Sequence, residues 1–548
     1  MKRIVVAAAV LVAAVALPLW ILLPPAPARL PQAGWDDLAS RTVTGAYHVH
    51  TIRSDGAADK AAVAAAASRA GLQFVILTDH GDGTRPPDPP VYLDGVLCLD
   101  AVEISTEGGH YVAIDMPRSP YPLGGQADAV AEDVRRLGGF GIAAHPDSPK
   151  PALQWTADDI QIDGVEWLNA DSEWRDDKRG ALARAAATYL LRPGPALASL
   201  LDRPSTSLAR WDAMSRRHPV VGLAALDAHG GVRRRAEDGS RAEALGVPGY
   251  EASFRTFTNR LVLTAPLTGR AVEDAESIDA AIRAGRVFTT IDALAAPGML
   301  DFHADAGLRR FEMGSELPAG ADATIVARAL APAGARLVLL HDGREVASIA
   351  APELRYEAHK AAGAFRVEVR LTTAPGDPPI PWLVGNPIYF LEPRAADVPT
   401  QTRPVVPAAP LEWSIEREPS SGAIMRTRDG VTELDYTIGN GGSAYAAAVA
   451  KLEGAEFSRI TFHARADHPM RASIQLRFPD GSRWGRSVYV PVAGRWIDVP
   501  VDRMVPMDVG QNRTPDPSTA TSLLVVVDLT NSSAGARGHL WFSEFRLQ

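Results

Sequence analysis

The chain has 548 residues, too many for one hydrophobic core, so two to four domains are expected. Its formal net charge of −9 speaks against a protein that grips a nucleic-acid backbone, because neutralising phosphates takes an excess of lysine and arginine. A hydrophobic content of 46% marks it as globular, and with Cys98 as its one cysteine no intramolecular disulfide can form.

Lys2 and Arg3 precede an apolar run, residues 4–23, broken only by Pro18 and followed by Pro24-Pro25-Ala26-Pro27-Ala28-Arg29. Residues 1–30 therefore read as an export signal or a single N-terminal membrane anchor. The run is long for a cleaved signal core, and Ala26-Pro27-Ala28 is a poor cleavage site, so both readings stand beside that of a buried first helix. Export puts the bulk of the chain in the periplasm or outside the cell, held to the cytoplasmic membrane if the segment stays. The positive charge before the run fits that orientation.

Residues 41–47 alternate and carry β-branched side chains, so they read as a strand, ending in His48-Val49-His50. Residues two apart on a strand share a face, so both imidazoles can reach one point. Asp55 and Gly56 then turn the chain into an alanine-rich helix over 57–70. Phe74-Val75-Ile76-Leu77 is a strand apolar throughout, as in a parallel sheet, and ends in Thr78-Asp79-His80. A strand over 96–104 carries Glu103, and a turn over 105–109 leads to His110 and the strand 111–114. Cys98 lies among apolar neighbours and reads as buried. A helix over 127–137 precedes a strand over 140–144 that ends in His145-Pro146. The strand 162–167 leads to Asn169 and Asp171. Two mainly helical stretches, 178–191 and 195–217, are followed by an apolar strand over 219–226 that ends in Asp227-Ala228-His229. A charged loop spans 232–240. A strand over 260–263, a helix over 277–284 and a strand over 285–290 close the region. This βα pattern, with polar groups at strand ends, predicts a closed or nearly closed β/α barrel with its site on the C-terminal face.

Over 299–399 the segments become short and alternating, which predicts a β-sandwich; a Pro-rich linker over 405–409 follows. From 411 to the end the chain is again β-rich and reads as a jelly-roll-like sandwich. Trp484, Trp496 and Trp541 serve there either as core or as a ligand platform. His463 and His468 have no matching acids in an orderly series and are left as packing or surface residues.

Seven of the 13 histidines precede residue 230. The candidate ligands are His48, His50, Asp55, His80, Glu103, His110, His145, Asp227 and His229. All offer imidazole nitrogen or carboxylate oxygen and none a thiolate, which suits zinc, manganese or iron. They exceed the needs of one ion, so two or three divalent metal ions sharing a carboxylate, Glu103 or Asp227, are expected. His145-Pro146 alone could be a turn, and His110 alone a satisfied strand histidine. Asp227 and His229 after a wholly apolar strand are harder to explain as packing, since both need partners.

The set His48-Val49-His50-Thr51 with Ser54-Asp55-Gly56, Thr78-Asp79-His80, Glu103-Ile104-Ser105, Ala144-His145-Pro146 and Asp227-Ala228-His229 resembles the polymerase and histidinol phosphatase (PHP) superfamily of metallohydrolases. Ala284-Gly285-Arg286-Val287-Phe288 and Gly385-Asn386-Pro387-Ile388-Tyr389 are similar to its exported, carbaryl-hydrolase-like branch. The resemblance implies an α/β fold, a distorted seven-stranded β/α barrel followed by two β-sandwich domains. The expected division is barrel 31–296, immunoglobulin-like sandwich 297–404 and galactose-binding-like jelly roll 405–548. It also implies that His48, His50, Glu103 and Asp227 serve one metal or bridge, and that His80 and His145 help hold another. Asp55 stands where some relatives have histidine, His229 completes the set, and His110 is a ligand or phosphate contact.

The expected activity is metal-dependent hydrolysis of a phosphoester by metal-bound hydroxide, with Asp227 in the catalytic set and His145 or His229 as proton donor. Two alternatives stay open. One is carbamate, ester or amide hydrolysis by the same site, with Trp155, Trp167 and Trp174 lining a more apolar pocket. The other is a non-catalytic, metal-containing surface-binding protein. Arg53 could contact an anionic substrate or be a solvated surface residue. The expected partners are a small substrate, phosphorylated in the leading reading, and a carbohydrate or cell-surface ligand for the last domain; no nucleic acid is expected.

Overall fold

The structure, a computed structural model, describes residues 20–231, 246–393, 409, 411–452, 456–507 and 516–548. Most of the apolar N-terminal run, the charged loop over 232–240 and most of the linker over 405–409 lie outside these residues. Among the described residues no helix is long and apolar enough to cross a membrane.

The first twelve strands are β1 (Ala28–Arg29), β2 (Thr42–Val49), β3 (Phe74–Leu77), β4 (Val91–Leu93), β5 (Val96–Asp100), β6 (Val102–Thr106), β7 (Gly109–Ile114), β8 (Phe140–Ala143), β9 (Gly164–Asn169), β10 (Val221–Ala225), β11 (Thr258–Val262) and β12 (Val287–Thr290). They form a mixed α/β architecture. One sheet has the order β10-β9-β8-β7-β6, and a larger one contains β12-β11-β2-β3-β5-β4. β2, β3 and β5 run parallel, as do β8, β9 and β10. The single strand expected over 96–104 is two strands, divided at Ala101 between the two sheets. The repeat is also not uniformly βα: β6 and β7 form an antiparallel hairpin that sets Ser105 opposite His110, and β8 is antiparallel to β7.

The helices cover these sheets for legible reasons. Lys60–Ala70 starts where the Asp59 side chain accepts the Ala62 N–H and stops at Gly71 (φ 82°), a conformation that favours glycine. Its buried residues are Val63, Ala64, Ala66 and Ala67, small enough for close approach to the sheet. β3 is buried at all four positions, which explains its unbroken apolar sequence.

Some of the strands after β12 continue the larger sheet. Leu383–Gly385 pairs antiparallel with β12, and Gly363–Arg370 pairs with it in turn, so twelve strands belong to one sheet. Met299–Ala306, Arg309–Glu312, Ala321–Leu330 and Glu353–Ala361 form a four-stranded sheet whose buried side chains share the same core. Asn386 fixes this seam: its side chain accepts from Gly222 N (2.7 Å) and donates to Gly222 O (2.9 Å) and Val287 O (2.8 Å).

The last region packs a six-stranded and a five-stranded sheet around its own core, from Leu434 to Phe545. Trp484 belongs to that core. Trp541 and Trp496 are half-buried, with Arg465 and Arg546 over their rings at 3.8 and 4.6 Å, so neither is a bare platform. His463 lies edge-on to Trp496, and His468 bonds Asp467 at 2.6 Å. This region is tied to the helix Ala127–Arg136 by Arg471, which reaches Asp133 (2.6 Å) and Glu132 (2.7 Å).

Candidate metal centre

The edge strands β10 and β6 of the five-stranded sheet meet the ends of β2 and β3, inside the larger sheet, through two parallel bridges, Val49 to Ala228 and His80 to Glu103. Every candidate ligand stands at or beside one of those meeting points. Leu226 N donates to Tyr47 O (3.1 Å), Ala228 N to His48 O (3.2 Å) and His50 N to Ala228 O (3.0 Å), so the ends of β2 and β10 run side by side. This register brings Asp227 against both histidines of the His-x-His pair.

Glu103 is the centre of the cluster. Its Oε2 lies 3.3 Å from His48 Nε2, 3.3 Å from His50 Nε2 and 3.1 Å from His80 Nδ1. Its Oε1 lies 2.6 Å from His110 Nδ1 and 2.9 Å from His145 Nε2. Asp227 Oδ1 is 3.2 Å from His50 Nε2, 3.6 Å from His48 Nε2 and 3.7 Å from His229 Nδ1. Asp55 reaches His229 (3.3 Å), His50 (3.5 Å) and His80 (3.6 Å). All nine residues expected from the sequence are thus brought together. His48, His50, Glu103, His145 and Asp227 are buried, and Asp55, His80, His110 and His229 form a partly exposed rim.

The arrangement is held under backbone strain. His48 (φ 63°), His145 (φ 30°) and Asp227 (φ 47°) adopt the left-handed conformation that non-glycine residues avoid. At His48 the strain accompanies a register shift in the β2–β3 pairing between Ala46 and Val49. The chain then turns tightly: Gly56 N bonds Thr51 O at 2.8 Å, and a Cβ at Gly56 would meet His50 O at 2.3 Å.

Two supporting residues were not among the predicted ligands. Glu166, inside β9 and fully buried, accepts from His48 Nδ1 (2.6 Å), His145 N (2.7 Å) and Asn169 Nδ2 (2.9 Å). It thereby turns His48 Nε2 toward Glu103. Asp79, 2% exposed, pins the loop after His50 by accepting from Thr51 N (2.8 Å), Thr51 Oγ1 (2.7 Å), Ser54 N (3.2 Å) and Ser54 Oγ (2.7 Å). A charged residue amid apolar strand neighbours, as Glu166 is, was the available signal, since buried charges need partners.

The electrostatics pull in two directions. Burial works to raise the Glu103 and Asp227 carboxyls, but the surrounding histidines outweigh it and hold both well below the usual carboxylate range. Burial works to lower His48, yet Glu166, Asp227 and Glu103 raise it well above an ordinary imidazole. His229 is opposed by burial but raised to about 9 by Asp55 and Asp227. The site is a concentration of negative charge that demands positive charge in return.

A divalent cation fits that demand. His48 Nε2, His50 Nε2 and Glu103 Oε2 are buried, without a hydrogen-bond partner, and face one another. Among the described residues four groups bring ligand atoms within 4.8 Å: His48-His50-Glu103, His50-Asp227-His229, His50-Asp55-His80 and His80-Glu103-His110. His145 is in none of them. Of the other residues weighed, Arg53 is paired with Asp88 (2.7 Å) and Asp100 (3.2 Å). Trp155 and Trp167 are fully buried in the core, Trp155 stacked on Tyr111, and Trp174 is half-buried. Burial pushes the Cys98 thiol up to about 11, as its apolar setting suggested.

The chain is thus a multi-sheet α/β protein carrying a pre-formed cluster of metal-ligating side chains. No protein-family model matches it, and no curated protein does. Solved structures similar to part of it include a family 11 carbohydrate-binding module of a Clostridium thermocellum cellulosomal cellulase, 14% identical over 27% of this chain and 90% of its own length, TM-score 0.21. A family 11 module from Clostridium thermocellum in complex with a mixed-linked tetrasaccharide is 15% identical over 25% and 87%, TM-score 0.21. A family 29 carbohydrate-binding module is 10% identical over 26% and 89%, TM-score 0.19. Likenesses of this size carry no assignment of ligand.

Proposed function

We propose that the chain is an exported metal-dependent hydrolase of the polymerase and histidinol phosphatase type, with phosphoesters as its substrate class. The observation that carries this reading is the convergence of three unpartnered buried atoms, His48 Nε2, His50 Nε2 and Glu103 Oε2. Unsatisfied buried polar groups are costly, about 1–3 kcal/mol each, and are kept where a ligand completes them. The strand connectivity supports the fold expected of that type. β2, β3, β6, β7, β8, β9 and β10 make a ring of seven if the two bridges count as its seams.

His50 belongs to three of the four ligand groups, so the groups cannot all fill at once. Two ions could be held at once, one by His48, His50 and Asp227 and the other by His80 and His110, with Glu103 within reach of both. Bound there, divalent ions supply Lewis acidity and a water of lowered pKa. The remaining residues have distinct work. Glu166 and Asp79 hold the first histidines in place. His145, bonded to Glu103 Oε1 and to Leu153 O (2.9 Å), orients the shared carboxylate. His229, at the rim beside Asp55, is the better placed of the two candidate proton donors to serve a leaving oxygen. Carbamate hydrolysis has less support, because Trp155 and Trp167 pack in the core instead of lining a pocket.

The test is metal content of the protein and of Asp227→Ala, with turnover of phosphomonoester, phosphodiester and carbamate esters. About two ions per chain are expected, reduced together with turnover in the variant. Failure to retain any transition metal after supplementation would sink the reading; preference for carbamates would reassign the substrate.

A further inference from the structure

The helix Arg179–Tyr189 and its flanks are unusual on this acidic protein. Residues 178–192 contain Lys178, Arg179, Arg184 and Arg192 and no aspartate or glutamate. The same stretch exposes large apolar side chains: Leu190 is 89% and Leu191 59% exposed. One residue of that tip meets the start of the body. Arg192 donates to Pro24 O, and just before Pro24 the chain exposes Trp20 (74%) and Ile21 (72%).

The chain between this contact and β2 is held fast. Ala28 N bonds Leu294 O and Leu30 N bonds Ala296 O, each at 3.0 Å, so β1 is a strand of the folded body and not a loose tether. Residues 20–24, the described end of the apolar run, therefore lie at a fixed place, at the contact with Arg192 that follows Leu190 and Leu191. That place is on the metal centre's side. Tyr189 Oη accepts from Gly249 N (2.9 Å), and the next residue, Tyr250, donates to His50 O (2.8 Å).

We infer that this tip lies on the bilayer surface: Leu190 and Leu191 enter the headgroup layer, the exposed Lys178, Arg179 and Arg184 meet anionic lipid, and the metal centre is set toward the membrane. A mixed basic and apolar surface beside a membrane-inserted segment binds such an interface by combining apolar burial with charge attraction. The inference rests on the export reading with the N-terminal segment retained.

The test uses the full chain in vesicles of phosphatidylcholine and phosphatidylglycerol. Leu190→Cys carries an environment-sensitive dye; Leu308→Cys, on a fully exposed turn near Arg310, is the comparison, and the buried Cys98 of the unsubstituted protein gives the background. Lipid brominated in its acyl chains is the quencher. The expected result is loss of most of the fluorescence at 190 and none at 308. Protein that sediments with the vesicles but shows no quenching at 190 overturns the inference and leaves the anchor standing. Protein that fails to sediment with vesicles overturns the anchor and the inference together.

Discussion

Arg366 and Glu103 are both fully buried charges, and the molecule treats them in opposite ways. Arg366, at the seam between the α/β sheets and the strands after β12, donates to both oxygens of Asp212 (3.0 and 2.9 Å) and to Glu368 (2.8 Å). Glu368 in turn receives Arg203 and Arg370, each at 2.8 Å. Both carboxylates are fully taken up by guanidinium donors, so the network completes itself. Around Glu103 several imidazoles also crowd one carboxylate, but there buried atoms are left without a hydrogen bond. A paired network is a structural joint, whereas converging unpaired atoms mark a place for something the chain does not supply.

The comparison breaks most visibly at Arg366. Arg366→Ala leaves Asp212 buried without its guanidinium and should cost about 3–5 kcal/mol in a urea titration. Asp227→Ala, with metal removed by chelation, should change stability less, because His48 keeps Glu166 and Glu103 beside it and His50 keeps Glu103. The seam also has an acid signature. Burial raises the Glu368 carboxyl, but Arg366, Arg203 and Arg370 outweigh it and hold it well below the usual carboxylate range. Its folded pKa is then below the unfolded one, near 4.3, so the stabilisation is full above about pH 4.3 and is lost as pH falls through the folded value. Urea midpoints taken at falling pH should drop for the unaltered protein and stay flatter for Glu368→Gln, which starts lower at neutral pH.

The same division explains what could be read in advance. His48, His50, His80, His145, Asp227 and His229 were legible because strand ends and short spacings expose them in the sequence. Glu103 was legible as a member of the cluster, but its place as the hub depends on the break at Ala101, which moves β6 into the other sheet. Asp212, Arg366 and Glu368 carried no local signal; their meaning comes from pairing across 154 positions of chain. The motif around Asn386 was visible, and its role as the bond between β10 and β12 was not, because that role is purely tertiary.

Glu166 lies between the two cases, fully paired yet turned toward the metal centre. Glu166→Gln keeps its shape and removes the charge that aligns His48 and the His145 N–H. Metal affinity, measured by competition with a chelator, should fall about 10–100-fold, the usual cost of losing a carboxylate behind a ligating histidine. An unchanged affinity would place Glu166 with the seam residues.

Arg53 gives the smallest and sharpest test. It stands two residues before Asp55, where an anionic substrate could draw it in, but its guanidinium is already held by Asp88 and Asp100. Each of those carboxylates keeps a second cation: Lys60 on Asp88 and Arg85 on Asp100, both at 2.8 Å. Arg53→Gln should therefore cost no more than about 1 kcal/mol, as exposed ion pairs do. KM for a phosphoester should stay unchanged, since a cation paired within the protein has nothing left to offer. A tenfold rise, about 1.4 kcal/mol, would mean that Arg53 leaves two carboxylates for the substrate. Pairing in the resting protein would then no longer separate the residues that hold the fold from those that hold the ligand.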